Sequence, residues 1–198
     1  LLFSNSAGAH VTTVGSNLQL TGGTLTMSGT NVTTLHVLGS ASLSGGNLTR
    51  SGNISDAIDI DGDIIFAGTV VAGSEPSKIR CGGNWVADAN FAPLTNMEVI
   101  FDGASPQTIG GSAANFYNLT VSNTSTLVLL IELDLEKDLL INSGSTLSMG
   151  ALTHALGRDI TNNGTITGTG LVRLDENSGA SVTLNSPSPL PSVEVVKT

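Results

Sequence analysis

The residues best suited to chemistry are carboxylates at alternate positions. Asp59-Ile60-Asp61-Gly62-Asp63 sets three acids around a glycine, as calcium loops present their oxygen ligands. A calcium loop draws further ligands from a downstream turn, whereas Ile64-Ile65-Phe66 follows here. Asp59, Asp61 and Asp63 are therefore a weak Ca2+ candidate, set against an acidic strand facing solvent, which the pattern favours. No other cofactor is expected. The same pattern recurs at Asp134, Glu136 and Asp138. In a stacked fold all six carboxylates would share one side. Polysaccharide cleavage needs carboxylates converging with a cation, and Arg80 and Arg158 are the cations that would lie near Asp63 and Asp138. His10, His36 and His154 have neither metal nor triad spacing and are expected on the surface. No Gly-x-Ser-x-Gly elbow occurs. The expectation is a protein that is not an enzyme.

Composition narrows the class. Of 198 residues, 39% are hydrophobic, 4% aromatic and 12% charged. Such a chain can build a core, and with few rings that core is expected to be aliphatic. Low charge with abundant Gly, Ser and Thr suits stacked β-structure better than disorder. A net charge of −9 with seven scattered cations argues against nucleic acid. No apolar run reaches the length of a membrane span. The lone Cys81 makes no intramolecular disulfide and reads as a small buried hydrophobe. The first residue is Leu1, not Met, so either a leader has been removed or the sequence is a segment of a longer chain.

The acids belong to an internal repeat. Asp59-Ile60-Asp61-Gly62-Asp63-Ile64-Ile65-Phe66 aligns with Asp134-Leu135-Glu136-Lys137-Asp138-Leu139-Leu140-Ile141 at one constant offset. The match continues through Trp85 with Ile160 and Thr108-Ile109 with Thr183-Leu184 at that same offset. The two copies cover 59–111 and 134–185. Along the chain, apolar runs too short for helices alternate with Gly-rich turns. Ile131-Glu132-Leu133-Asp134-Leu135-Glu136 alternates with period two, which indicates a strand. The register of the repeat, its turn chemistry and the scarcity of rings favour an all-β solenoid over a sandwich or barrel. A coil of roughly 20 to 25 residues makes residues 1–185 about eight or nine coils, and the repeating unit about three. Residues 186–198 read as a Pro-rich linker followed by a terminal strand for pairing between subunits.

Gly82-Gly83-Asn84-Trp85, Val99-Ile100-Phe101-Asp102-Gly103, Gln107-Thr108-Ile109-Gly110-Gly111 and Phe116-Tyr117-Asn118-Leu119-Thr120-Val121 carry a resemblance. So do Asn142-Ser143-Gly144-Ser145-Thr146-Leu147 and Asn162-Asn163-Gly164-Thr165-Ile166. Residues 59–184 resemble the β-strand-repeat modules of large secreted bacterial surface proteins, of adhesin or autotransporter-passenger type. The resemblance implies a right-handed parallel β-helix at the cell surface or outside the cell, and transfers no catalytic residue.

A solenoid has two open ends. The expected function is a structural subunit of a filament or surface layer, a homo-oligomer or homopolymer joined by end stacking or strand addition. Leu1, Leu2 and Phe3 at one end and Val193, Val195 and Val196 at the other are the expected assembly residues. The alternative is an adhesin-type module binding glycans or a surface, for which Trp85, Tyr117 and the Phe residues are the available platform. A polysaccharide-active enzyme is a remote third. Six Asn-x-Ser/Thr sites, Asn31, Asn47, Asn53, Asn118, Asn123 and Asn163, match the N-glycosylation pattern, with Asn turn ladders as the default reading.

Overall fold

The computed structural model describes residues 2–5, 10–29, 33–45, 47–52, 57–67, 77–89, 91, 96–175, 181–188 and 190–196. Leu1, Asn31 and Asn53 lie outside the described residues. The chain winds as a β-solenoid. Every strand pair is parallel, and among the described residues there is no helix. Among the described residues, sheet 1 has nine strands, from His10–Val14 to Val182–Leu184, and sheet 2 has eight, from Leu18–Leu20 to Thr165–Thr167. The third position in the coil is taken near the start by a three-stranded sheet, Leu2–Asn5 to Asn47–Gly52. Later it is taken by the five strands of sheet 3, Asn115–Phe116 to Ser192–Val195. Coils differ in length: an early one carries Leu2 to its partner Thr26, and a shorter late one carries Thr153 to Leu171.

Each strand alternates, because successive side chains point to opposite faces. Ile58, Ile60, Ile79, Cys81, Val99, Phe101, Leu119 and Val121 stack inward from successive strands of sheet 1, all buried. The core is not purely aliphatic. Phe66, Trp85, Phe91, Phe101 and Phe116 gather inside it, with Phe66–Trp85 and Trp85–Phe116 centroids 4.9 and 5.1 Å apart. Rings carry more buried area each than aliphatic chains, so a few of them can fill the centre.

The offset of the sequence repeat is not a whole number of coils. Asp59 stands in sheet 1 and Asp134 in sheet 3; Ile64–Phe66 stands in sheet 2 and Leu139–Ile141 in sheet 1. Trp85 and Ile160 are displaced in the same way, from sheet 2 to sheet 1. The matching segments are thus rotated by one face of the coil.

The C-terminal segment docks onto its own chain. Ser188 caps the last strand of sheet 2, accepting from Ile166 N–H (2.9 Å) and donating to Ile166 O (2.7 Å). Leu190 packs against the core, and Ser192–Val195 pairs with Leu171–Leu174. The terminal strand, expected to pair between subunits, therefore pairs in cis along one edge.

Stacking brings coil corners into close contact. A Cβ placed on Gly83 would lie 2.6 Å from Gly62 C and 2.7 Å from Asp63 N, whereas one on Gly15 meets nothing within 4 Å. Gly83→Ala should cost about 1–3 kcal/mol through overpacking. Gly15→Ala should stay within about 0.5 kcal/mol. Denaturant unfolding of the two variants checks the contrast.

Candidate functional site

Asp63 and Asp138 sit at coil corners, and their local chemistry is set by neighbours one coil away. At the corner between sheets 1 and 2, Asn17, Ser40, Asp63 and Asn84 occupy successive coils. Ser40 N–H donates to Asn17 Oδ1 (2.9 Å), Asp63 N–H to Ser40 Oγ (3.1 Å), Asn84 N–H to Asp63 Oδ1 (2.7 Å) and Thr108 N–H to Asn84 Oδ1 (2.9 Å). A second ladder climbs the corner between sheets 3 and 1. There Asp138 N–H donates to Asn118 Oδ1 (3.2 Å), Asp159 N–H to Asp138 Oδ1 (3.3 Å) and Ser181 N–H to Asp159 Oδ1 (2.9 Å). The N–H and hydroxyl of Ser181 hold the Asp159 carboxyl below the usual carboxylate range. Asp63 and Asp138, aligned in sequence, thus do the same work at two different corners.

The other acids of the first triplet have their own partners. Asp61 Oδ1 lies 3.0 Å from His36 Nε2, a hydrogen bond that raises the His36 pKa. Asp59 lies in register between His36 and Arg80, and burial raises its carboxyl pKa. Arg80 turns to Asp102 at 2.8 Å, and Lys78 pairs with Glu98 at 3.1 Å. Arg158 lies 3.5 Å from Asp159 and 4.0 Å from Asp138. Among the described residues no group of three His, Cys, Asp or Glu side chains is arranged to hold a metal. The six acids do not share one side: Asp59 stands in sheet 1 and Asp134 in sheet 3, and Asp63 and Asp138 stand at different corners.

Several polar groups are internal. His154, expected at the surface, is fully buried. Its Nδ1 accepts from Leu133 N–H (3.0 Å), which leaves Nε2–H to donate to Met149 O (2.9 Å). Gln107, also buried, donates to Cys81 O and Gly83 O (2.8 and 2.7 Å) and accepts from Gly103 N–H (3.2 Å). The sequence marks these residues only by position, each on the inward phase of a short strand. Cys81 is buried, and desolvation pushes its pKa up to about 12, so the thiol stays protonated.

The four sequons among the described residues differ in setting. Asn123 is 1% exposed, so its side chain is sealed from a glycosylating enzyme in the folded protein. Asn118 caps the second ladder, and Asn163 Oδ1 accepts from Asn185 Nδ2 (2.7 Å). Asn47 opens the strand Asn47–Gly52. Of the assembly residues, Leu2 and Phe3 lie in the strand Leu2–Asn5. Val193 and Val195 are exposed, and Val196 N–H donates to Leu174 O (2.9 Å). Trp85 is buried and Tyr117 half-buried, which withdraws the indole from any glycan platform. Among the described residues no helix is long and apolar enough to cross a membrane.

Comparison with family models, with curated proteins and with solved structures finds no match to this chain.

Burial lowers the pKa of His154, so the folded protein holds it neutral while the unfolded chain takes up a proton below about pH 6.5. Stability is then lost as pH falls from that value, at up to about 1.4 kcal/mol per pH unit. His36 acts in the opposite sense: its raised pKa contributes stability below about pH 6.5 that is lost as pH rises. Comparing wild type with His154→Gln, which keeps His36, isolates the first effect. Between pH 7.5 and 5.5 the wild type should lose about 1 kcal/mol more than the variant. Parallel profiles would count against it.

Proposed function

We propose that the chain is a structural, non-catalytic β-solenoid of extracellular or cell-surface material, joined end to end with further copies. The observation that carries this reading is the unfinished last layer of the core. Val182, Leu184, Val193 and Val195 stand in register with Ile160, Asn162, Val172 and Leu174. Those partners are buried, yet the four last-layer side chains are 40–63% exposed. They stand at inward positions that no coil covers among the described residues. Their two strands, at the ends of sheets 1 and 3, also present a row of backbone N–H and C=O groups to one side. At the other end Val14, Leu18 and Leu20 hold inward positions and are only half-buried. A first coil laid on a last coil would continue both the parallel sheets and the core. Such a heterologous contact has no closing symmetry and extends as a fibre. The polar groups of the wall support a scaffold as well, since many are used to bond one coil to the next.

A second reading, an adhesin-type module, is favoured by one exposed stripe. Ile65 and Val86, 41% and 40% exposed, are register neighbours on the outer face of sheet 2. Gly110 continues the column, and Leu130 lies beside it. An aliphatic stripe of this kind suits a protein surface better than a glycan.

Sedimentation velocity and negative-stain microscopy over a concentration series test the first reading. Wild type should form rods that lengthen with concentration, and Val193→Asp/Val195→Asp should remain monomeric with an unchanged circular dichroism spectrum. Wild-type rods of one fixed short length at every concentration would sink the assembly reading.

A further inference from the structure

Where sheet 2 turns into sheet 3, three successive coils enclose an open groove of about 550 Å3. Ala113 and Ala114 form a buried floor, Ile131 is half-buried, and Leu130 stands 59% exposed at the mouth. Glu132 and Asp134 are exposed on either side of the buried Leu133, and both line the groove. No ion pair among the described residues engages either one. Burial, with a smaller contribution from Asp175, raises the Asp134 carboxyl pKa above its ordinary value. The groove therefore combines apolar surface with negative charge that is partly desolvated and unmatched.

We infer that this groove docks an extended peptide segment that alternates basic and aliphatic side chains. Lysine or arginine would meet Glu132 and Asp134, and the aliphatic side chains would lie against Leu130 and the alanine floor. Charge complementarity selects the basic partner. The cations whose side chains are described are already engaged within the chain, which argues against a second copy as the partner. Lys78, Arg80, Arg158 and Arg173 each have a carboxylate within 4.0 Å, and Lys137 has an interaction of its own. Three coils stacked about 4.8 Å apart span about 10 Å, which fits three or four extended residues. This site is independent of end-to-end assembly.

Fluorescence anisotropy with a labelled Lys-Leu-Lys-Leu-Lys peptide tests the inference on the whole chain. The wild type should bind saturably, and more weakly as salt rises. Glu132→Gln/Asp134→Asn should weaken binding roughly tenfold or more. Leu130→Ser should weaken it severalfold. Glu98→Gln/Asp102→Asn makes the same change in net charge on sheet 1, and should leave binding within about twofold. Circular dichroism of each variant verifies the fold. Equal weakening by the two double variants, absence of saturation, or displacement by spermine as effective as by unlabelled peptide would each overturn the inference.

Discussion

The constraint on which the rest depends is the fate of backbone N–H groups at the coil corners. Strands of a parallel stack bond to each other through their ladders, but the chain must turn between sheets, and turning takes backbone groups out of register. Some still reach a backbone carbonyl of the preceding coil, as Gly62 N–H does Gly39 O and Gly83 N–H does Gly62 O (both 3.0 Å); side chains receive others. Asn17, Ser40, Asp63 and Asn84 at one corner, and Asn118, Asp138 and Asp159 at another, each accept an N–H from one coil further on. One such bond contributes about 1 kcal/mol net, and leaving its donor unsatisfied costs more. Repeated up two corners, these bonds fix coil on coil and so align the apolar columns inside. They also leave no room for a side chain at Gly83.

This explains what the sequence makes legible and what it hides. Short apolar runs between glycine turns are enough to indicate stacked coils, because inward columns and tight corners both leave local marks. The internal repeat is real as a pattern but ambiguous as geometry. Gly62-Asp63-Ile64 and Lys137-Asp138-Leu139 match because each is a corner leading into a strand, and all corners of the coil face the same demand. Sequence spacing alone does not say which corner. Asp63 looks like a ligand for the same reason: an acceptor needed by the backbone and an acceptor offered to a cation are the same chemical group.

The interior is less legible than the corners. His154 and Gln107 are polar residues in a core, and their occurrence depends on partners in other coils: Leu133 N–H for one, Cys81 O for the other. No local pattern announces such a partner. The aromatic cluster is similar, since Phe66, Trp85 and Phe116 come together only through stacking. The C-terminal prolines signal the end of regular strands, but not that Ser188 bonds back to Ile166. With the wall bonded to itself, the exposed last layer, the aliphatic stripe and the acidic groove stand out among the described residues as open surfaces.

Amide hydrogen exchange followed residue by residue by NMR tests the corner ladders most directly. The account predicts that the amides of Ser40, Asp63, Asn84 and Thr108, and of Asp138, Asp159 and Ser181, are protected like those of the adjoining strands, although most of them lie in turns. Exchange of these amides at the rate of an open turn, with the strands still protected, would contradict it.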